Sequence, residues 1–251
     1  MKNHAPVERP GITGGPSLVM LANGRRFRKV DAWVTVFILL SFNVLGYADR
    51  TVITMLVGPI KSDLAVSDIQ MSLLMGFAFA LLYATCGLPM GVIADRVSRR
   101  RLIFFGVFGW SAMMAACGLA ANFTQLILGR AGVGVGEAVL APAAQALIAE
   151  KFPREQFTIA MSVFMVGAVV GAGLAAMVGG TLVQAVLIRG ATVLPLIGAV
   201  RPWQFVFVCL GIAGLVLAPL MFFVGEQRPT SGSAPVHVKA SIGVRALLSL
   251  V

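Results

Sequence analysis

The stretch WVTVFILLSFNVLGYADRTVITMLVGPI, residues 33–60, decides the fold. It is longer than the ~20 apolar residues an α-helix needs to cross a bilayer, and its only ionisable side chains are the adjacent pair Asp49 and Arg50. In lipid such a segment satisfies its own backbone hydrogen bonds as a helix. A membrane span is therefore expected here, tilted or projecting because of its length, with one charged pair held inside the membrane.

Five further runs of the same kind follow, at 71–94, 102–121, 125–149, 157–187 and 203–224, which makes six spans. Composition agrees: 58% of the 251 residues are hydrophobic and 12% charged, against about 25% charged in a soluble domain. The fold class expected is an all-α integral membrane bundle. Lys+Arg 20 against Asp+Glu 10 could suggest a nucleic-acid partner, but the basic residues fall between apolar runs and not on one polar face. Their partner is the bilayer, not nucleic acid.

Fifteen of the Lys and Arg residues lie in connections that alternate onto the same side as the N-terminus, and three, Lys61, Arg189 and Arg201, lie on the other. Basic residues mark the cytoplasmic side, so both termini are expected there. Residues 1–30 read as a disordered cytoplasmic tail, 31–225 as the helical unit and 226–251 as a cytoplasmic linker. The early apolar run 17–22 is shorter than the ~7–15 residues of a signal-peptide core, so the first span serves as its own insertion signal. A bacterial inner membrane is the assignment adopted, although a eukaryotic plasma or endomembrane fits the same pattern. The apolar stretch 191–200 is too short to span and is expected to be an interfacial or re-entrant piece.

An ionisable side chain inside hydrocarbon costs at least ~2.5–3.5 kcal/mol, so each needs a partner, water or a function. Four are expected within the spans: Asp49, Arg50, Arg130 and Glu137. Arg130 and Glu137 are two helical turns apart on one face, ~10 Å, and can line one cavity without forming a direct pair. A carboxylate shielded from water can load and release a proton near neutral pH. Glu137, placed farther from a cation, is the expected proton carrier. Asp49 is the expected switchable partner of Arg130, whose guanidinium would then hold an anionic head group. The plainer alternative is that Asp49 neutralises Arg130 as packing.

The other residues mostly argue structure. Gly167, Gly171, Ala175 and Gly179 form a small-residue stripe at i, i+4 on the fifth span, as helices that approach closely require; Gly134 sits in a similar Gly-rich stretch of the fourth. GxGxG at 132–136 is not a dinucleotide fingerprint, since the spacing differs and no strand precedes it. Cys86, Cys117 and Cys209 are expected to be free, buried thiols. His4 and His237 lie in the tails, so no metal set, no cofactor and no nucleophile–base pair is expected. That argues against an intramembrane enzyme.

In the second connection, Gly91, Asp95, Arg96, Arg99 and Arg100 resemble the G-x-x-x-D-R-x-G-R-R signature of the major facilitator superfamily, with Ser98 in place of the usual Gly. Arg130, Gly134 and Ala138 resemble its fourth-helix R-x-x-x-G-x-x-x-A element. Tyr47-Ala48-Asp49-Arg50 and Gly136-Glu137-Ala138 are similar to signatures of its spinster-like branch. The resemblance implies a proton-coupled secondary active transporter working by alternating access: six helices as a 3+3 inverted repeat, one half of a twelve-helix protein. It implies that Asp49, Arg50, Arg130, Glu137 and Tyr47 serve substrate and proton, and that Gly91, Asp95, Arg96, Arg99 and Arg100 form a cytoplasmic gate. The substrate would be a small organic or lipid-like molecule. With one half present, a complementary second half or a second copy is the implied partner; an inactive half or a partner-dependent subunit is the alternative.

Overall fold

The computed structural model describes residues 18–20, 26–181, 192–194 and 198–225, with side chains described for 29–181, other than 78, 95 and 178, and for 201–225. The expected linker 226–251 and most of the N-terminal tail lie outside the described residues.

The first helix, Lys29–Met55, stops short of the run that the hydropathy outlines. Pro59 is the reason: in a continuous helix its ring would meet the carbonyl four residues back, at Met55. The chain bends at Leu56 and resumes as a short helix, Val57–Leu64, closed by Ala65 in the left-handed conformation at φ 50°. The single long span expected over 33–60 is thus two helices.

The second span, Asp68–Ala94, opens on a capping box between Ser67 and Gln70 and contains a π turn at Leu73–Phe77. The third helix, Arg99–Cys117, is capped by Ser98, whose hydroxyl accepts from the Arg101 N–H at 3.3 Å. The fourth, Phe123–Lys151, loosens between Glu137 and Leu140. Pro142 explains that break as Pro59 explains the first, since its ring faces the carbonyl of Ala138. The fifth helix, Arg154–Leu174, ends in a π turn at Ala175–Gly179, and the sixth, Pro202–Leu217, tightens into a 3₁₀ segment at Ala218–Phe223.

Five of these helices are long and apolar enough to cross a membrane. The third opens on Arg99-Arg100-Arg101 and is apolar thereafter; it lies among the others with Ile103, Val107, Trp110 and Met114 buried. Two short antiparallel hairpins lie outside the helices. Leu18–Met20 pairs with Arg26–Arg28 where a disordered tail is expected, and Thr192–Leu194 pairs with Gly198–Val200 in place of a re-entrant piece.

Side-chain contacts sort the helix ends into two groups. At the basic end Lys151 donates to Thr35 Oγ1 at 2.7 Å, Arg99 pairs with Glu150 at 2.6 Å, and the Trp33 ring meets Phe152 edge-on at 5.4 Å. At the opposite end Asp63 Oδ2 accepts from both Arg201 and Trp203, at 2.7 and 2.6 Å, and Gln204 donates to the Ala120 carbonyl at 2.9 Å.

The first helix packs chiefly on the fifth and the second on the fourth, while the third packs on both the fourth and the sixth. Mapping helices one to three onto four to six exchanges the first–fifth and second–fourth pairs and returns the third–sixth pair to itself, as an internal 3+3 inverted repeat requires. The first-to-fifth contact is made through the small-residue stripe: a Cβ at Gly167 would fall 3.0 Å from Asn43 Cβ, and one at Gly179 3.2 Å from Val52. Asn43 locks the same interface by donating to the Phe164 carbonyl at 2.8 Å.

Candidate functional site

Packing the first helix between the fourth and fifth brings Asp49, Arg50, Arg130 and Glu137 into the middle of the bundle, between the two charged ends. Asp49, Arg130 and Glu137 are 1%, 1% and 4% exposed, whereas the Arg50 side chain keeps 30% of its surface.

Arg50 Nε and Nη2 both donate to Glu137 Oε2, at 2.8 and 2.6 Å. Gly46, one turn before Arg50, faces this carboxyl, and a Cβ there would lie in ordinary van der Waals contact with it, 3.7 Å from the carboxyl carbon. Three aromatic rings surround the guanidinium, with centroids at 5.0 Å for Tyr47, 4.8 Å for Phe79 and 4.7 Å for Tyr83. Such placement over ring faces favours a cation.

Arg130 stands apart. Its Nη1 contacts Met114 Sδ at 3.7 Å, its guanidinium lies 5.6 Å from the Phe79 centroid, and its Nε has no hydrogen-bond partner among the described residues. Asp49 Oδ1 is likewise without one. Among the described residues no ion pair joins Asp49 to Arg130. The expected arrangement is therefore reversed: Glu137, placed by sequence farther from a cation, holds Arg50, and Asp49 is the carboxylate without a direct partner. Which carboxylate meets which cation is fixed by helix rotation, and sequence spacing does not report it.

A cavity of ≈ 60 Å³ opens beside the pair, lined among others by Asn43, Tyr47, Arg50, Tyr83, Trp110 and Glu137. Asn43, Phe79, Tyr83 and Trp110 escape the sequence reading. Phe79 and Tyr83, stacked at 5.7 Å, stand one turn apart on the second helix, and that i, i+4 aromatic pair is the signal that points to them.

The residues of the second connection are distributed along the basic end. Gly91 faces Pro142 of the fourth helix, Arg99 holds Glu150, Arg100 lies 5.3 Å over the Phe222 ring, and Arg96 is exposed. The side chain of Asp95 lies outside the described residues. Ser98, the departure from the superfamily signature, has a structural task as the cap of the third helix. Of the cysteines, all free, only Cys117 is fully buried; Cys86 and Cys209 are partly exposed, contrary to expectation.

Residues 38–250 match the family model of the Major Facilitator Superfamily. The chain belongs to this superfamily. A bacterial homologue of the human lysosomal transporter spinster, solved in an inward-facing and unoccupied conformation, aligns at a TM-score of 0.71 and 32% identity over 82% of this chain and 47% of that one. The chain is 30% identical to an MFS-type efflux pump of Mycolicibacterium smegmatis, over 84% of its own length and 46% of the pump's. A probable L-galactonate transporter of Escherichia coli is 29% identical over 83% of this chain and 42% of its own length. The chain thus spans about half the length of the relatives it matches. The spinster-like resemblance and the multi-pass all-helical membrane fold read from the sequence hold, and the matching superfamily members are transporters rather than enzymes.

Proposed function

We propose that this chain forms the N-terminal half of a proton-coupled secondary transporter that moves a small organic or amphiphilic substrate by alternating access. The observation that carries the reading is the buried quartet Asp49, Arg50, Arg130 and Glu137, contributed by the first and fourth helices. Intramembrane charge of this density marks substrate and ion pathways. Asp49, with no direct partner, is a carboxylate free to exchange a proton; Glu137 is one whose protonation would release Arg50 from its cage toward an anionic group. Tyr47 flanks that cage. Gly91, Asp95, Arg96, Arg99 and Arg100 form the gate at the basic end, which in this reading faces the cytoplasm of a bacterial inner membrane with both termini on that side; the excess of Lys and Arg there supports the cytoplasmic orientation.

The partner is a second half or a second copy. The second and fifth helices are the least covered of the candidate spans, with 12% and 28% of their apolar windows buried. Helices that lack lipid-independent burial in an isolated half are the natural seats for a complementary one. One relative is named a probable L-galactonate transporter, and the quartet offers both charge signs to a small organic cargo of that kind.

The decisive experiment reconstitutes the chain, with a complementary half, in liposomes carrying an imposed proton gradient and follows uptake of a panel of sugar acids, antibiotics and lysolipids. Gradient-driven flux of at least one class is expected, and Asp49→Asn and Glu137→Gln should uncouple it from the gradient. Variants that keep full proton dependence would sink the reading.

A further inference from the structure

The cavity beside Glu137 carries more than the ion pair. Trp110 of the third helix lines it, is 1% exposed, and its Nε1 has no hydrogen-bond partner among the described residues. Glu137 lines it too, is 4% exposed, and its Oε1 also has none, because both bonds from Arg50 go to Oε2. The positions of both groups are fixed by packing. Arg50 anchors one carboxylate oxygen and so sets the place of the other. A Cβ at Gly136 would fall 2.8 Å from the Trp110 Cβ and backbone nitrogen, so the bare backbone of Gly136 lets the third helix close onto the fourth immediately before Glu137.

The geometry points to a hydroxyl-binding subsite here, in which one hydroxyl group accepts a hydrogen bond from Trp110 Nε1–H and donates one to Glu137 Oε1. An indole N–H only donates and an ionised carboxylate only accepts, so a single bridging group must do both. A hydroxyl does; an ammonium offers no acceptor and a carboxylate no donor. The cavity, ≈ 60 Å³, has room for such a group, since a water molecule occupies about 30 Å³ of liquid. Two sources share this chemistry: a resident water molecule, and a hydroxyl of a polyhydroxylated substrate. The second rests on the transport reading given above; the first does not.

The test uses the full chain in lipid nanodiscs free of sugar detergents. The indole N–H band of Trp110 is read by ultraviolet resonance Raman as the difference between wild type and Trp110→Phe. Should Trp110→Phe fail to fold, a Trp33→Phe, Trp203→Phe double variant leaves Trp110 as the sole tryptophan. A band at the hydrogen-bonded position in protein without added solute supports the subsite with water as its occupant. A band that moves there only on adding D-galactonate supports it with a substrate hydroxyl. A band at the free N–H position in both samples overturns the subsite. No flux is measured, so this outcome is separate from success or failure of the transport experiment.

Discussion

Arg50 commits two hydrogen bonds to one oxygen of Glu137, across 87 residues of sequence, and leaves the second oxygen without a partner. A fork of that shape needs a planar guanidinium; a lysine ammonium is a point charge on a flexible stem.

Arg50→Lys should therefore keep the charge and lose the pairing geometry and the stacking on Tyr47, Phe79 and Tyr83. A hydrogen bond to a charged group contributes about 1.5–3 kcal/mol, an upper bound here because the Arg50 side chain is 30% exposed. Thermal unfolding in detergent should register the loss, and Arg50→Lys should cost less when Glu137 is already Gln than it does in the wild type. An additive result would show that the two residues do not act as a pair.

Gly171 lies where a Cβ would meet the Val44 carbonyl and the Tyr47 Cβ, whereas Gly173 has nothing within reach. Gly171→Ala should force the first and fifth helices apart at a cost of about 1–3 kcal/mol. Gly173→Ala, in the same helix, should be neutral or slightly stabilising. Melting temperatures of the two variants side by side decide this, and equal values would remove the case for the stripe as the contact face.

Ser98 caps the third helix through its hydroxyl, and replacing a Ser cap by Gly costs only a few tenths of a kcal/mol while replacing it by Ala costs about 1. Ser98→Gly is expected to unfold at nearly the wild-type temperature and Ser98→Ala measurably below it. The reverse order would mean that the hydroxyl does not cap.

Asp63 joins the segment after the first helix to the start of the sixth by accepting from Arg201 and Trp203. Exposed ion pairs contribute about 0–1 kcal/mol, so Asp63→Asn, which keeps an oxygen for Trp203, should shift stability by less than about 1 kcal/mol. Protease accessibility near residue 201 should rise more with Asp63→Ala than with Asp63→Asn.

Much of this fold is legible in the sequence because lipid imposes one rule on every segment: apolar, long enough and helical. The runs beginning at Trp33 and Trp203 announce themselves, and the spacing of Gly167, Gly171 and Gly179 announces a contact face. Local chemistry that hydropathy averages over is what escapes. Pro59 ends the first helix four residues before itself, a breaker in the midst of apolar residues that a window treats as continuous. The partners of Asp49 and Glu137 depend on how two helices are rotated against each other, a property of many small packing contacts that no single position encodes. Trp110 reads as one more apolar residue until the backbone of Gly136 is seen lying against it.

The contact between the first and fifth helices also has a consequence for synthesis. Asn43 meets the Phe164 carbonyl, 121 residues downstream, and at a translation rate of about 5–20 residues per second that partner emerges some ~6–24 s after Asn43 itself. Over that interval Asp49, Arg50 and the bare faces of the first helix are in the membrane before the helices that will cover them exist. The first helix is therefore made before the fifth can cover it, and the order of assembly is written into the spacing of the chain.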